Sequence, residues 1–184
     1  MPMKFDPLTI DGAYKISPKL LQDGRGSFAR VFCSDLFSAQ GLNCHWKQMN
    51  VSRTAQAGTV RGMHFQRPPF CEIKLVRCVA GLILDVIVDL RKGSASFGQV
   101  CAVELCADKM EMLYVPAGCA HGFQTLSDDV ELHYLHSQDY RPDHEGGLLP
   151  TDPELAIAWP RAISNLSERD QKHPLFEQVE PIIL

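Results

Sequence analysis

From Cys44 onward the sequence breaks into short alternating runs, each closed by a turn signal, and this punctuation constrains the fold more than any other feature. The runs are Cys44–Ser52, Thr59–Gln66, Glu72–Val79, Leu82–Leu90, Gln99–Cys106, Glu111–Val115, Gly122–Leu126 and Glu131–Ser137. Between them stand Gly58, Pro68-Pro69, Ala80-Gly81, Lys92-Gly93-Ser94, Asp108, Pro116-Ala117-Gly118 and Ser127-Asp128-Asp129. Side chains alternate between the two faces of a strand, so Trp46, Gln48 and Asn50 are expected on one face. Closely spaced short strands with few helical stretches between them imply an antiparallel sandwich or barrel. Helices are expected only at the periphery. Asp35–Gln40 has Ser34 as its N-cap and Gly41 beyond its end, Asp152-Pro153-Glu154 reads as an N-cap followed by proline, and Asn165–His173 is polar enough for an exposed helix. The start, with Pro2, Pro7 and Pro18, reads as irregular. No repeat or shift in composition divides the chain, so residues 1–184 are expected to form one all-β jelly-roll domain with short helices at its end.

Composition then excludes several functions. A chain of 184 residues with 45% hydrophobic residues can bury a sizeable core without staples. A net charge of −4 argues against a dedicated nucleic-acid binder. The most apolar stretch, Val79–Leu90, is cut by Asp85 and Asp89, which rules out a membrane helix. Met1–Asp11 lacks the basic-then-apolar pattern of a secretory leader, so the protein is expected in the cytoplasm. The seven cysteines agree: their number is odd, no CxxC pair occurs, and most sit among apolar residues, as buried thiols in a reducing compartment do.

Pro116-Ala117-Gly118-Cys119-Ala120-His121 matches the PxGxxH element in the second motif of cupin barrels. Many cupins hold a metal through an HxH pair, a downstream glutamate and that second-motif histidine. Here the first motif reads Met63-His64-Phe65-Gln66, so His64 has no histidine two residues on. His64, Glu72 and His121 would supply a facial triad, but the spacing departs from the motif, and a metal-free, cofactor-free barrel is the expectation.

A longer series is more specific. Asp23-Gly24-Arg25-Gly26-Ser27-Phe28 is followed by Gln48-Met49-Asn50, Arg61-Gly62-Met63-His64-Phe65-Gln66-Arg67-Pro68-Pro69 and Lys74-Leu75-Val76. Then come Asp85-Val86-Ile87-Val88-Asp89-Leu90-Arg91, Pro116–Phe123, Tyr134, Tyr140, Glu145-Gly146, Asp152-Pro153, Trp159-Pro160 and Leu166–Asp170. In this order they resemble the dTDP-4-dehydrorhamnose 3,5-epimerase family over nearly the whole chain. The resemblance implies a homodimeric cupin-like jelly roll. It would epimerise C3 and/or C5 of a nucleotide-linked 4-keto-6-deoxyhexose without a cofactor, converting dTDP-4-dehydro-6-deoxyglucose to dTDP-4-dehydrorhamnose. The chemistry can be argued independently. A C4 ketone acidifies the hydrogens on C3 and C5, so the reaction needs a base, a cation at the enolate oxygen and an acid on the opposite face of the sugar.

The resemblance makes His64 the base, a residue type suited to it because its ordinary pKa lies near working pH. Asp170 becomes its carboxylate partner, although Ser167-Glu168-Arg169-Asp170 also reads as a capping box. Lys74 would support the enolate, and Tyr134 would be the general acid or else a packing tyrosine. His133 and His136 are expected at the surface or rim. His121 would touch substrate or be structural. Arg25 and Arg61 match substrate-binding arginines, and a guanidinium fork suits a diphosphate. Gln48 and Asn50 share a cavity face, Phe28 and Tyr140 match the pair that sandwiches the base, and Glu145 and Arg169 match further contacts. Arg61 and His64 are three positions apart, so sharing one cavity requires a bulge, for which Gly62 is the candidate.

One position departs from the pattern. Many family members carry a glutamate two residues after the phenylalanine of RGxF, where this chain has Arg30. A carboxylate can accept from thymine N3–H, whereas arginine only donates and would suit the acceptors of cytosine. Arg30 therefore stands as a substrate-binding candidate that opens a CDP-linked sugar beside dTDP, or it simply turns outward or meets a phosphate. Within the class, a C3-only or C5-only epimerase is a variant; from other classes the alternatives are a non-catalytic nucleotide-sugar-binding cupin and a metal-dependent cupin using His64, Glu72 and His121.

Overall fold

The computed structural model describes residues 3–184. Strand β1 (Met3–Pro7) pairs with β2 (Tyr14–Pro18), and β2 pairs with β10 (Met112–Val115). These join β7 (Lys74–Ala80), β12 (Val130–His136) and β5 (Gln48–Thr54) in a six-stranded sheet of order β1-β2-β10-β7-β12-β5. A five-stranded sheet runs β13-β6-β11-β8-β9, from β13 (Glu145–Gly147), β6 (Val60–Gln66), β11 (Cys119–Thr125), β8 (Leu82–Asp89) and β9 (Val100–Cys106). A separate hairpin, β3 (Leu21–Asp23) with β4 (Gly26–Phe28), belongs to neither. All strand pairs are antiparallel.

Strand parity sorts the core into layers. Val76, Cys78, Leu113, Val115 and Leu132 of the six-stranded sheet meet Ile83, Ile87, Cys101, Val103, Leu105 and Phe123 of the other. Fully burying such side chains is worth about 1.5–3 kcal/mol each, so this face-to-face layer is the main source of cohesion. The outer face of the five-stranded sheet (Met63, Phe65, Val86, Val88, Ala120) is covered by Leu148, Leu155, Val179 and Ile182 from the C-terminal segment. The outer face of the six-stranded sheet packs on Phe37 of α1 (Ser34–Ala39). Among the described residues no helix is long and apolar enough to cross a membrane.

The all-β expectation holds, with local corrections. Pro7 and Pro18 end strands that the sequence reads as irregular, and Pro2 lies outside the described residues. Proline is tolerated at a strand end because it need not donate there. Helix α1 is capped by Cys33, with Ser34 already inside it and no side-chain cap. Strand β5 begins only at Gln48; Trp46 packs against the Phe37 cluster, so the parity expected with Gln48 and Asn50 does not reach back to it. Asn165–His173 forms only a single 3-10 turn, Asp170–Lys172. Its start is held to the sheet, since Val60 N–H donates to the Asn165 carbonyl. Asp152 does cap, its carboxylate accepting from the amides of Glu154 and Leu155, but only a turn follows. All seven cysteines are free, and burial pushes the Cys78 thiol up to about 11 and the Cys119 thiol up to about 12.

Candidate active site

The inner faces of both sheets change character towards one end. On β7 Val76 gives way to Lys74, on β12 Leu132 gives way to Tyr134 and His136, and on β11 Phe123 gives way to His121. Here the sheets enclose a cavity of about 540 Å³. Its wall includes His64, Lys74, Tyr134, Asp170 and His121, together with Gln48, Asn50, Arg61, Tyr140, Glu145 and Arg169.

Gly62 makes this convergence possible. Opposite β11, His64 pairs with His121 and Arg61 with Phe123, so three steps on β6 match two on β11. The extra residue is the expected bulge, and it turns both Arg61 and His64 inward. Gly62 has φ +135°, and a Cβ there would lie 2.5 Å from the Gly122 Cα. Only glycine fits.

His64 Nε2 lies 2.8 Å from Asp170 Oδ1. Asp170 is 4% exposed. Burial pushes its carboxyl up, but the hydrogen bond and charge of His64 outweigh this and hold it below the ordinary range. An ionised carboxylate only accepts, so Nε2 carries the donated proton and Nδ1 keeps a lone pair. The other carboxylate oxygen accepts from the Gly62 amide. The capping-box alternative is half present: Asp170 N–H donates to Ser167 Oγ at 3.0 Å, while the carboxylate goes to His64.

The opposite wall is different. Tyr134 on β12 shares a hydrogen bond of 2.8 Å with Ser52 Oγ, and burial pushes its phenol well above the ordinary range. Lys74 is 6% exposed; its ammonium donates to the His64 carbonyl at 3.2 Å and lies 3.1 Å from Glu72 Oε1. Burial raises Glu72, yet Lys74 and His136 together bring it down to about 2. His121 Nε2 meets the fully buried Asp85 at 2.6 Å. At the mouth Gln48 accepts from the Tyr140 amide, Tyr140 O–H donates to Glu145 at 2.7 Å, and Glu145 pairs with Arg169. Arg61 donates to Thr54 Oγ1 and the Arg53 carbonyl.

Three candidates stand elsewhere. Arg25, Phe28 and Arg30 do not line the cavity of their own chain. Arg25 pairs with Asp23 on the hairpin, Phe28 is 65% exposed, and Arg30 is exposed. The cause is topological, because β3 and β4 pair only with each other. His136 is also corrected: it lines the cavity, with Nδ1 3.0 Å from Glu72 and Nε2 3.3 Å from Asn50 Nδ2. His133 points the other way, towards Glu131. Sequence reasoning missed Ser52, Gln66 and His136 as wall residues, although each sits two positions from a candidate, which is the strand repeat.

The metal triad expected as an alternative does not assemble. His64, Glu72 and His121 each hold a different partner, namely Asp170, the Lys74–His136 pair and Asp85. Among the described residues the group with metal-ligand spacing is His64, Asp170 and His173.

Comparison with known proteins matches this architecture. The family model for dTDP-4-dehydrorhamnose 3,5-epimerase matches residues 7–178. A dTDP-4-dehydrorhamnose 3,5-epimerase of Sinorhizobium fredii is 41% identical over 173 residues, 94% of this chain and 89% of the relative. A dTDP-4-dehydrorhamnose 3-epimerase of Streptomyces niveus is also 41% identical, over 92% of this chain and 82% of its own length. A crystal structure of the 3,5-epimerase from Bacillus anthracis with TDP and PPi bound superposes with a TM-score of 0.92 at 40% identity, covering 95% of this chain and 99% of that one. With the motifs, the fold and the relatives in agreement, the chain belongs to the dTDP-4-dehydrorhamnose 3,5-epimerase family.

Proposed function

We propose that this protein epimerises a dTDP-linked 4-keto-6-deoxyhexose at C3 and/or C5 by proton removal and return, as a cytoplasmic homodimer with residues 1–184 acting as one domain. The observation that carries the reading is the division of labour between the sheets. His64, oriented by Asp170, projects from the five-stranded sheet, while Tyr134 and Lys74 project from the six-stranded sheet across the same cavity. His64 Nδ1 removes a proton from the carbon beside the C4 ketone. The electron pair moves into an enolate whose oxygen charge is met by the Lys74 ammonium, an interaction of several kcal/mol in a dry site. Tyr134, still protonated at neutral pH because burial raises its pKa, returns a proton from the other face and inverts the centre.

The binding roles follow the same axis. Arg61, Gln48 and Asn50 hold the sugar and diphosphate, His121 packs its ring 6.3 Å from Tyr134, and Tyr140 with Glu145 and Arg169 receives the nucleoside at the mouth. The Bacillus anthracis relative with TDP bound supports thymidine over cytidine. Arg30, exposed and outside the cavity of its own chain, gives no support to a CDP-sugar. The free thiols support the cytoplasm.

Incubation with dTDP-4-keto-6-deoxyglucose in deuterated water tests this directly. Deuterium at C3, at C5 or at both is expected by NMR, and its position tells a C3-only enzyme from a 3,5-epimerase. Substrate recovered without deuterium at either carbon defeats the proposal.

A further inference from the structure

His173 is not used by the reaction above, yet it is built against its base. It follows the Asp170–Lys172 turn and packs over Gly147, where an added Cβ would lie 2.3 Å from the imidazole. Its ring meets that of His64 edge-on, with 5.5 Å between centroids. Its Nε2 is buried without a hydrogen bond, 3.5 Å from Asp170 Oδ1. Such an orphaned buried nitrogen calls for a partner. The ligand atoms of His64, Asp170 and His173 all lie within 4.8 Å of one another.

We infer that His64, Asp170 and His173 form an inhibitory site for a borderline first-row dication, with Zn²⁺ the best match. The inference rests on reading His64 as the base. Two imidazoles and a carboxylate are ligands zinc prefers, and bonds of 2.0–2.2 Å in a tetrahedron place donors about 3.4 Å apart. The existing separations from Asp170 Oδ1, 2.8 Å to His64 and 3.5 Å to His173, fall on either side of that value, and the two histidine nitrogens lie within 4.8 Å of each other.

The consequence for catalysis follows from the tautomer. In the free site the His64 proton sits on Nε2, shared with Asp170. Zinc takes the Nε2 lone pair, and the displaced proton moves to Nδ1, so the ring stays neutral and no redox change occurs. Nδ1–H cannot accept a proton from the sugar, so the enzyme with zinc bound is inactive.

The test is zinc binding by calorimetry on the full chain after chelator treatment, run beside the deuterium-exchange assay. One zinc per chain is expected, with inhibition over the same concentration range and full recovery on adding chelator. His173→Ala should still exchange deuterium, while its zinc affinity falls on the order of tenfold or more for the lost ligand. His173→Gln, which keeps most of the bulk over Gly147, should behave in the same way. Co²⁺ should give a spectrum of nitrogen and oxygen ligation without a thiolate band. Equal zinc affinity in wild type and both variants, or a thiolate band, overturns the site. Zinc binding that depends on His173 in a protein that exchanges no deuterium would support the site and count against the epimerase reading alone.

Discussion

At the scale of single residues, the site is a set of side chains whose protonation is fixed by neighbours. Asp170 meets His64 at Nε2, which leaves Nδ1 facing the proposed chemistry and gives Asp170 the part of a positioning residue in the proposed mechanism. An amide in its place can still accept from the Gly62 amide, so the fold should persist, but it can equally donate to Nε2 and shift the tautomer. It also removes the charge that stabilises the imidazolium. Asp170→Asn is therefore expected to lower kcat by about 10²–10⁴-fold with little change in KM or melting temperature. Steady-state kinetics beside thermal unfolding checks this; a kcat within a few-fold of wild type would remove Asp170 from the mechanism. The sequence named this carboxylate through a family motif, and its own neighbours pointed equally to a cap. The contact with His64 forms and the cap forms by half, because the Ser167 hydroxyl takes the Asp170 amide and leaves the carboxylate for His64. The Glu72–His136 pair shows the converse. Nothing in the local sequence says that a buried carboxylate lies between Lys74 and His136, because the pairing of β7 with β12 that joins them is a long-range contact.

At the scale of elements, the strands were legible because period-two alternation and glycine or proline turns are local signals. The bulge was legible too, but only by joining a family expectation to geometry: Arg61 and His64 cannot both face inward on a regular strand. Gly62→Ala tests the joint. Its φ of +135° disfavours any side chain, and the new Cβ would meet backbone at Gly122, which cannot swing away as a side chain could. A loss of about 2–3 kcal/mol or more is expected from strain and displacement. Activity should fall further than stability, as His64 and Arg61 lose their common aim. Denaturant unfolding with parallel kinetics reads both, and a variant with native stability and rate would show that the bulge is not needed. The elements that sequence misjudged have a common cause. Pro7 and Pro18 suggested an irregular start because proline opposes strand interiors, yet each ends its strand. Asn165–His173 looked helical by composition, but bonding from β6 to Asn165 and Asp170 ties it to the sheet, and only the Asp170–Lys172 turn forms. Local propensity loses to tertiary hydrogen bonds there.

At the scale of the whole molecule, the two-sheet sandwich places His64 and Tyr134 on opposing walls, while the β3–β4 hairpin and the segment after it stand apart with three candidate substrate ligands. Arg25 and Arg30 are natural partners for a diphosphate, and an exposed Phe28 suits the face of a nucleobase. If the protein is a homodimer, these residues can serve the cavity of a second copy, and each site then needs a hairpin from one chain and a barrel from the other. The consequence can be measured by mixing two inactive proteins. Arg25→Ala damages the hairpin, and His64→Asn damages the barrel. A mixed dimer contains one site with an intact barrel from the first chain and an intact hairpin from the second. After unfolding and refolding together in equal amounts, about a quarter of the sites should recover, because half the dimers are mixed and each restores one site. The same arrangement within a single chain gives no recovery, since every site would carry one lesion. Recovery of activity on mixing would thus assign the hairpin to the partner's site, and its absence, with dimers shown by light scattering, would assign Arg25 to the site of its own chain.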